Sequence, residues 1–281
     1  MRRTLLSLAL CGALLSSSAL SSSAAAQAAP EPPNGQLFHY GGHPRQDITV
    51  YGDGGTPLVI VHGGYWSKDT DWSGWARWFA ARGFTVYDTD YRLTSDAVWP
   101  AQRDDVLAAL HWVRLREGGR RPLVLGSSAG GHLALQAGAY GAGRARALGV
   151  VALSPVASPL RAWRDGARPG ASAERRELRR AAVRLAGCVP GDGAGRACRA
   201  RWTDLSVASH ASGADDAPLL LVHSAGDFVP RTHATEVASA ERGAGLGDIT
   251  VRTVSGSAHG GPLLRGPGMA QSVLRWLRSH P

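Results

Sequence analysis

Residues 124–135, VLGSSAGGHLAL, place two hydroxyls, Ser127 and Ser128, between an apolar run and a small-residue helical pattern. Gly126-Ser127-Ser128-Ala129-Gly130 fits the spacing G-x-S-x-G with Ser128 at its centre. Ser127 fails that register, because Leu125 stands two residues before it. The spacing has a physical reason. A sharp turn from strand to helix holds the central serine in a strained backbone conformation and exposes its hydroxyl, while small neighbours let strand and helix approach closely. The helix that follows aims its first N–H groups at developing negative charge. The same five residues would also make a purely structural Gly-rich turn, so other residues must decide.

A serine hydroxyl is a weak nucleophile and needs a base. Of the ten histidines, His39 and His43 precede the core, His111 falls inside a helical pattern and His280 is terminal. His259 differs: it follows the last strand-like run, in SGSAHGG, just before the final helical pattern. His223 ends the run before, inside the turn that also carries an acid. That acid, Asp227 in LLLVHSAGDFVP, is the expected orienter of His259. Asp215 and Asp216 precede the same run and belong at its opposite end. Ser128, Asp227 and His259 then follow three different strands in the order that nucleophile, acid and base take in one known serine-hydrolase arrangement.

His62-Gly63-Gly64 supplies a fourth part, ending the run VIVHGGYW. Glycines there let backbone N–H groups face an oxyanion. Gly63, Gly64 and Ala129 are the expected donors. Tyr65, Trp66 and Trp99 are candidates to line an acyl or aromatic pocket, or else to be packing groups. His132 is expected to form a local hydrogen bond, and Asp90 either to brace the site loops through an Arg92 ion pair or to sit in a surface turn.

Seven apolar runs must carry these residues: DITVYG, TPLVIVHGG, FTVYDTDYR, RPLVLGSS, LGVVALSP, PLLLVHSAGD and ITVRTVSGSAHG. Several are unbroken Val/Leu/Ile stretches, the pattern of parallel strands buried on both faces. Helical patterns fall between them at 71–81, 101–116, 129–140, 232–242 and 269–279. Such alternation predicts a three-layer α/β domain. Residues 157–216 contain no clear strand and read as an insertion over one end of the sheet, able to wall the site. In open α/β sheets the site lies at the carboxyl ends of the strands.

The chain is 281 residues long with formal charge +9. A basic start at Met1-Arg2-Arg3, a short apolar run from Leu5 to Leu15 and an A-x-A pattern at Ala26-Gln27-Ala28 read as an export signal over 1–28. The run is too short to span a bilayer, and no stable membrane insertion is expected. Residues 29–281 would then form the domain, with a charge of +7 once Arg2 and Arg3 are gone. Lys68 is the single lysine, and the arginines are spread among acids. The densest run, AERRELRRAAVRLAG, spaces Leu178, Ala181, Ala182 and Leu185 as an amphipathic helix with a solvated face. No nucleic-acid signature accompanies it. Cys188 and Cys198, ten positions apart in a Gly-rich segment, are expected to pair as a disulfide, as suits an exported chain. No metal site and no cofactor is expected.

From about Val50 onward the chain resembles the α/β-hydrolase superfamily, within the carboxylesterase group that carries His-Gly-Gly loops. VHGGYW, DTDYRL, WPAQRDDVLAALHWV, GSSAGGHLAL, LVHSAGDFVP and SGSAHGG carry the resemblance. It implies a mostly parallel central sheet flanked by helices, with a short cap insertion after the sixth strand. It also implies acyl hydrolysis without a metal, on a small-molecule ester. His62-Gly63-Gly64-Tyr65-Trp66 is similar, too, to the H-G-G-x-W loop of kynurenine formamidases, which implies an amide as the alternative substrate, although export argues against that one. A non-catalytic binding protein on the same fold is a further reading; here every catalytic position is filled. Tyr65 stands where esterases of this group commonly have a third glycine, and only about thirty residues separate the expected cleavage point from the loop.

Overall fold

A computed structural model describes residues 35–281, so the leader expected over 1–28 lies outside the described residues. A short strand β1 (Gln36–His39) comes first, and the seven apolar runs form β2 (Asp47–Tyr51), β3 (Thr56–Val61), β4 (Phe84–Thr89), β5 (Leu123–Ser127), β6 (Val150–Leu153), β7 (Leu219–Ser224) and β8 (Ile249–Val254). They make one eight-stranded sheet in the order β1-β2-β4-β3-β5-β6-β7-β8. Six strands from β4 to β8 run parallel, while β1 and β2 add an antiparallel edge. The sequence pattern does not announce β1; its side chains are mostly exposed, so no hydrophobic alternation marks it.

Burial on both faces explains the unbroken runs of the central strands. Val59, Val61, Val124, Val150, Ala152, Leu219 and Leu221 join one core. Their alternating neighbours Leu58, Ile60, Leu123, Leu125, Val151, Leu153, Leu220 and Val222 join the other. With period two along a strand, a layer of helices must cover each face. Helices α1 (Ser73–Ala80) and α9 (Met269–Arg278) cover the second core through Phe79, Val273 and Leu277. The first is covered by α2 (Ala101–Arg116), α3 (Ala129–Ala139) and α8 (Thr232–Ala244), with the short α4 (Gly143–Arg146) between α3 and β6.

Between β6 and β7 lie α5 (Pro159–Asp165), α6 (Ala173–Ala186) and α7 (Arg196–Asp204), with no strand among them. The Arg-rich run is α6, and its buried residues are Leu178, Ala181, Ala182, Leu185 and Ala186. Ser172 caps its start and Gly187, in the left-handed region, ends it. A disulfide joins Cys188 to Cys198 across the loop from α6 to α7. The insertion is tied to the core by buried polar groups. Asp204 accepts hydrogen bonds from Trp99 Nε1 at 2.6 Å and Arg103 Nη1 at 2.9 Å. The Leu205 carbonyl accepts one from His132 Nε2 on α3 at 2.8 Å. No helix among the described residues is long and apolar enough to cross a membrane.

Candidate active site

Among the described residues, four other than glycine hold a positive φ: Tyr65 (59°), Trp66 (56°), Ser128 (55°) and Ser154 (49°). All four follow the carboxyl ends of strands β3, β5 and β6. Such conformations cost about 1–3 kcal/mol each and persist only where the surroundings enforce them. At Ser128 the enforcement is visible in the glycines around it. A Cβ on Gly126 would meet the Gly130 carbonyl oxygen at 2.3 Å, and a Cβ on Gly130 would meet that of Val61 at 2.1 Å. Only bare backbone lets β5 and α3 come this close. Ser128 thus stands at the head of α3, with its carbonyl receiving the first helical N–H from His132.

His259 lies five residues beyond β8. Its Nδ1 is 2.8 Å from Asp227 Oδ1. A carboxylate only accepts, so Nδ1 carries the proton and Nε2 keeps the free lone pair. The Asp227 side chain is fully buried. Val229 N donates to its Oδ1 at 2.9 Å, and the Ser154 hydroxyl donates to its Oδ2 at 2.5 Å. Phe228 packs on the His259 ring with centroids 4.1 Å apart. The rival base, His223, is 4.0 Å from Asp227 Oδ2, too far for a hydrogen bond. Burial pushes its imidazole down to about 4, as it does that of His132.

Ser128 and His259 line one cleft of about 280 Å³ together with Gly63, Gly64, Tyr65, Lys68, Thr70, Asp71, Trp72, Ser127, Gly261 and Pro262. Gly63 packs against the serine: a Cβ there would come within 3.3 Å of the Ser128 Cβ. Among the described residues, the backbone amides of Gly64 and Ala129 donate to no protein acceptor. Gly64 stands on the loop after β3 and Ala129 opens α3 next to Ser128, where an oxyanion hole would be. The loop itself is braced through His62. Its Nε2 lies 2.9 Å from Asp90 Oδ1, its carbonyl receives the Tyr91 hydroxyl at 3.0 Å, and its ring stacks on that of Tyr91. Burial is the largest single influence and works against the Asp90 charge, yet His62, the Tyr91 amide and Arg45 together outweigh it and hold the carboxyl below its usual value.

The expected brace differs in its partner. Asp90 pairs with His62 and with Arg45 at 3.0 Å, while Arg92 goes to the buried Asp105 on α2. The aromatic candidates need a larger correction. Trp66 and Trp99 are 0% and 1% exposed and line no part of the cleft. The positive φ at Trp66 turns its ring inward, edge-on to His132. Trp99 is turned to the insertion by its bond to Asp204. Tyr65 does line the cleft, and so does a second aromatic, Trp72, which the sequence pattern does not single out. Burial raises the Tyr65 phenol above its ordinary value, keeping it neutral. The 157–216 insertion lends the cleft no lining residue either. It reaches the site at second hand: Arg175 Nε on α6 donates to the Phe228 carbonyl at 2.9 Å. A larger hollow of about 420 Å³ shares Thr70, Asp71 and Trp72 with the cleft and is rich in aspartate, but it holds no serine and so no nucleophile–base pair. Among the described residues no group of His, Cys, Asp or Glu is arranged to hold a metal ion.

The BD-FAE family model matches residues 50–146, the part that carries the His62 loop and the Ser128 elbow. No curated protein matches the sequence. Solved structures are similar over most of the chain. Esterase B from Lactobacillus Rhamnosis is 22% identical with a TM-score of 0.68, covering 89% of this chain and 85% of its own. A truncated carbohydrate esterase from gut microbiota is 17% identical with a TM-score of 0.73, covering 90% and 98%. Esterase 2 of Thermogutta terrifontis, bound to propionate, is 20% identical with a TM-score of 0.63, covering 88% and 93%. At such identities the likeness defines the fold, and the fold is that of the α/β-hydrolases.

Proposed function

We propose that the protein is an exported serine hydrolase that cleaves short-chain or aryl carboxylic esters through an acyl-enzyme. One observation carries this reading: His259, held through Nδ1 by the buried Asp227, shares a cleft with Ser128 on its strained turn. His259 Nε2 takes the proton as Ser128 Oγ adds to the ester carbonyl. The amides of Gly64 and Ala129, with Gly63 beside them, receive the oxyanion. The tetrahedral state collapses, the C–O bond to the alcohol breaks, and Nε2 returns its proton to the leaving oxygen. Water, deprotonated by His259, then releases the acid and frees Ser128.

The cleft's size and its aromatic walls, Tyr65 and Trp72, favour a small acyl group. Short acyl groups also mark the similar structures: one esterase 2 structure binds propionate, and one Esterase B structure is inhibited by a tributyrin phosphonate. The leader-like residues 1–28 and the Cys188–Cys198 pair support export. An amide substrate of the formamidase type is the second reading, favoured by the His-Gly-Gly-Tyr-Trp loop.

The test is a panel of acyl esters beside N-formylkynurenine, run on the wild type, Ser128→Ala and Ser127→Ala. Ser128→Ala is expected to lose about 10⁴ to 10⁶ in kcat. Ser127→Ala keeps activity far above that floor. Ester turnover untouched by Ser128→Ala refutes the reading, and turnover confined to N-formylkynurenine selects the second.

A further inference from the structure

The base sits in an exposed position of the fold. β8 is the edge strand and pairs only with β7, so the loop that carries His259 has no strand beyond it to hold it. Its last ladder partner is Val254 opposite Ser224. Yet catalysis needs the imidazole within a fraction of an ångström of its working place.

Three buried serines at the ends of three neighbouring strands hold that loop. Ser224, closing β7, donates its hydroxyl to the Ala258 carbonyl at 2.6 Å. Ser154, just past β6, accepts the Gly260 amide at 2.9 Å. Ser127, closing β5, accepts the Gly261 amide at 3.0 Å. The bonds fall on the residue before His259 and the two after it. Close approach is built in: Gly260 has φ 63°, and a Cβ there would meet Ser127 Oγ at 2.4 Å.

Ser154 does more than the other two. A hydroxyl has one proton to give and two lone pairs to receive with. Asp227 Oδ2 can only accept, so the Ser154 proton goes to it, and the Gly260 amide is left to a lone pair. One oxygen therefore ties the acid to the loop of the base. Ser154 is 0% exposed and holds φ 49°, a strained conformation outside the expected turn at Ser128.

We propose that Ser154 is a positioning residue for the acid–base pair, and that with Ser127 and Ser224 it clamps the His259 loop to the strand ends. This rests on the reading of Ser128, His259 and Asp227 as the hydrolytic machinery. It also gives Ser127, the other serine of the Ser127-Ser128 pair, its own task, holding the base for its neighbour.

Ser154→Gly tests it, because glycine accepts the positive φ without strain and removes only the hydroxyl side chain. We expect kcat to fall about 10- to 100-fold with KM within about twofold. We also expect the acid limb of kcat/KM to move to higher pH. Asp227, losing a donated hydrogen bond, holds its charge more openly and stabilises protonated His259 better. His223, the other titratable group near Asp227, is kept neutral by burial and does not oppose the shift. Ser127→Ala and Ser224→Ala remove hydroxyls that bind the loop but not the Asp227 carboxylate. They are expected to lower kcat several-fold and leave the acid limb where it is. If Ser154→Gly does not fold, Ser154→Cys keeps the shape with a weaker donor and should shift the limb the same way, by less. Wild-type kcat and an unmoved acid limb in Ser154→Gly would overturn the proposal, as would an equal limb shift in all three variants. Failure of the underlying reading looks different: Ser128→Ala would then be active.

Discussion

Asp227→Asn separates the charge of the acid from its shape. In the wild type, Oδ1 receives His259 Nδ1–H at 2.8 Å and Val229 N–H at 2.9 Å, and Oδ2 receives the Ser154 hydroxyl. An asparagine has one oxygen and one NH₂ to place in these positions. With the oxygen in the Oδ1 position both N–H donors stay satisfied. The NH₂ then faces Ser154 Oγ, which has a second lone pair to receive it, and one buried O–H is orphaned. The opposite flip also orphans one buried donor, Val229 N–H, because His259 can move its proton to Nε2 and accept the NH₂ at Nδ1, a tautomer with no base left at Nε2. In either arrangement the fold should persist with a loss of about 1–3 kcal/mol from the single orphaned donor. Activity should suffer far more. The imidazolium formed in the transition state loses the buried negative charge beside it, and kcat should drop by about 10⁴, equivalent to about 5 kcal/mol of barrier. Hydrolysis of an aryl acetate, with kcat and KM determined separately, beside thermal melting by circular dichroism, measures both. A kcat within tenfold of wild type in a folded Asp227→Asn would refute the assignment of Asp227 as the acid.

Along a series of esters, kcat/KM should rise by at most about fourfold per added CH₂, the equivalent of about 0.8 kcal/mol, and stop rising at roughly C4 to C6 when the cleft is full. A rise that continues to C16, with a jump above the micellar threshold, would contradict the small cleft. Alkylation without reductant, read by intact mass, should label neither Cys188 nor Cys198 in exported protein, and reducing their bond should cost about 2–3 kcal/mol of stability; two labelled thiols would refute the pairing. Stability should also fall as pH rises from about 5 to 8. Burial, then the neighbouring Asp216, pushes Glu241 up to about 8, so through that window the folded chain holds a proton that the unfolded chain has released. Glu241→Gln should flatten this decline in melting temperature, and an unchanged slope would show that Glu241 is not its source.

The sequence by itself determined whatever is written between near neighbours. The Ser128 turn is legible because its glycines act on the adjacent strand and helix. The central strands are legible because burial on both faces leaves unbroken apolar runs. Asp227 and His259 can be proposed because each follows such a run, and parallel strands bring their carboxyl ends together. Tertiary structure alone decided which side chains meet across the gaps. Trp66 and Trp99 flank the right loops, yet backbone twist and the bond to Asp204 turn them into the core, and Trp72 supplies the aromatic wall. Arg92 lies two positions from Asp90 in sequence, but Asp105 on α2 lies where its guanidinium points, leaving Asp90 to His62 and Arg45. Ser154 and Ser224 look like ordinary strand-end serines. Their partners lie 106 and 34 positions away, and no local pattern encodes a hydrogen bond that exists only once β5 to β8 stand side by side.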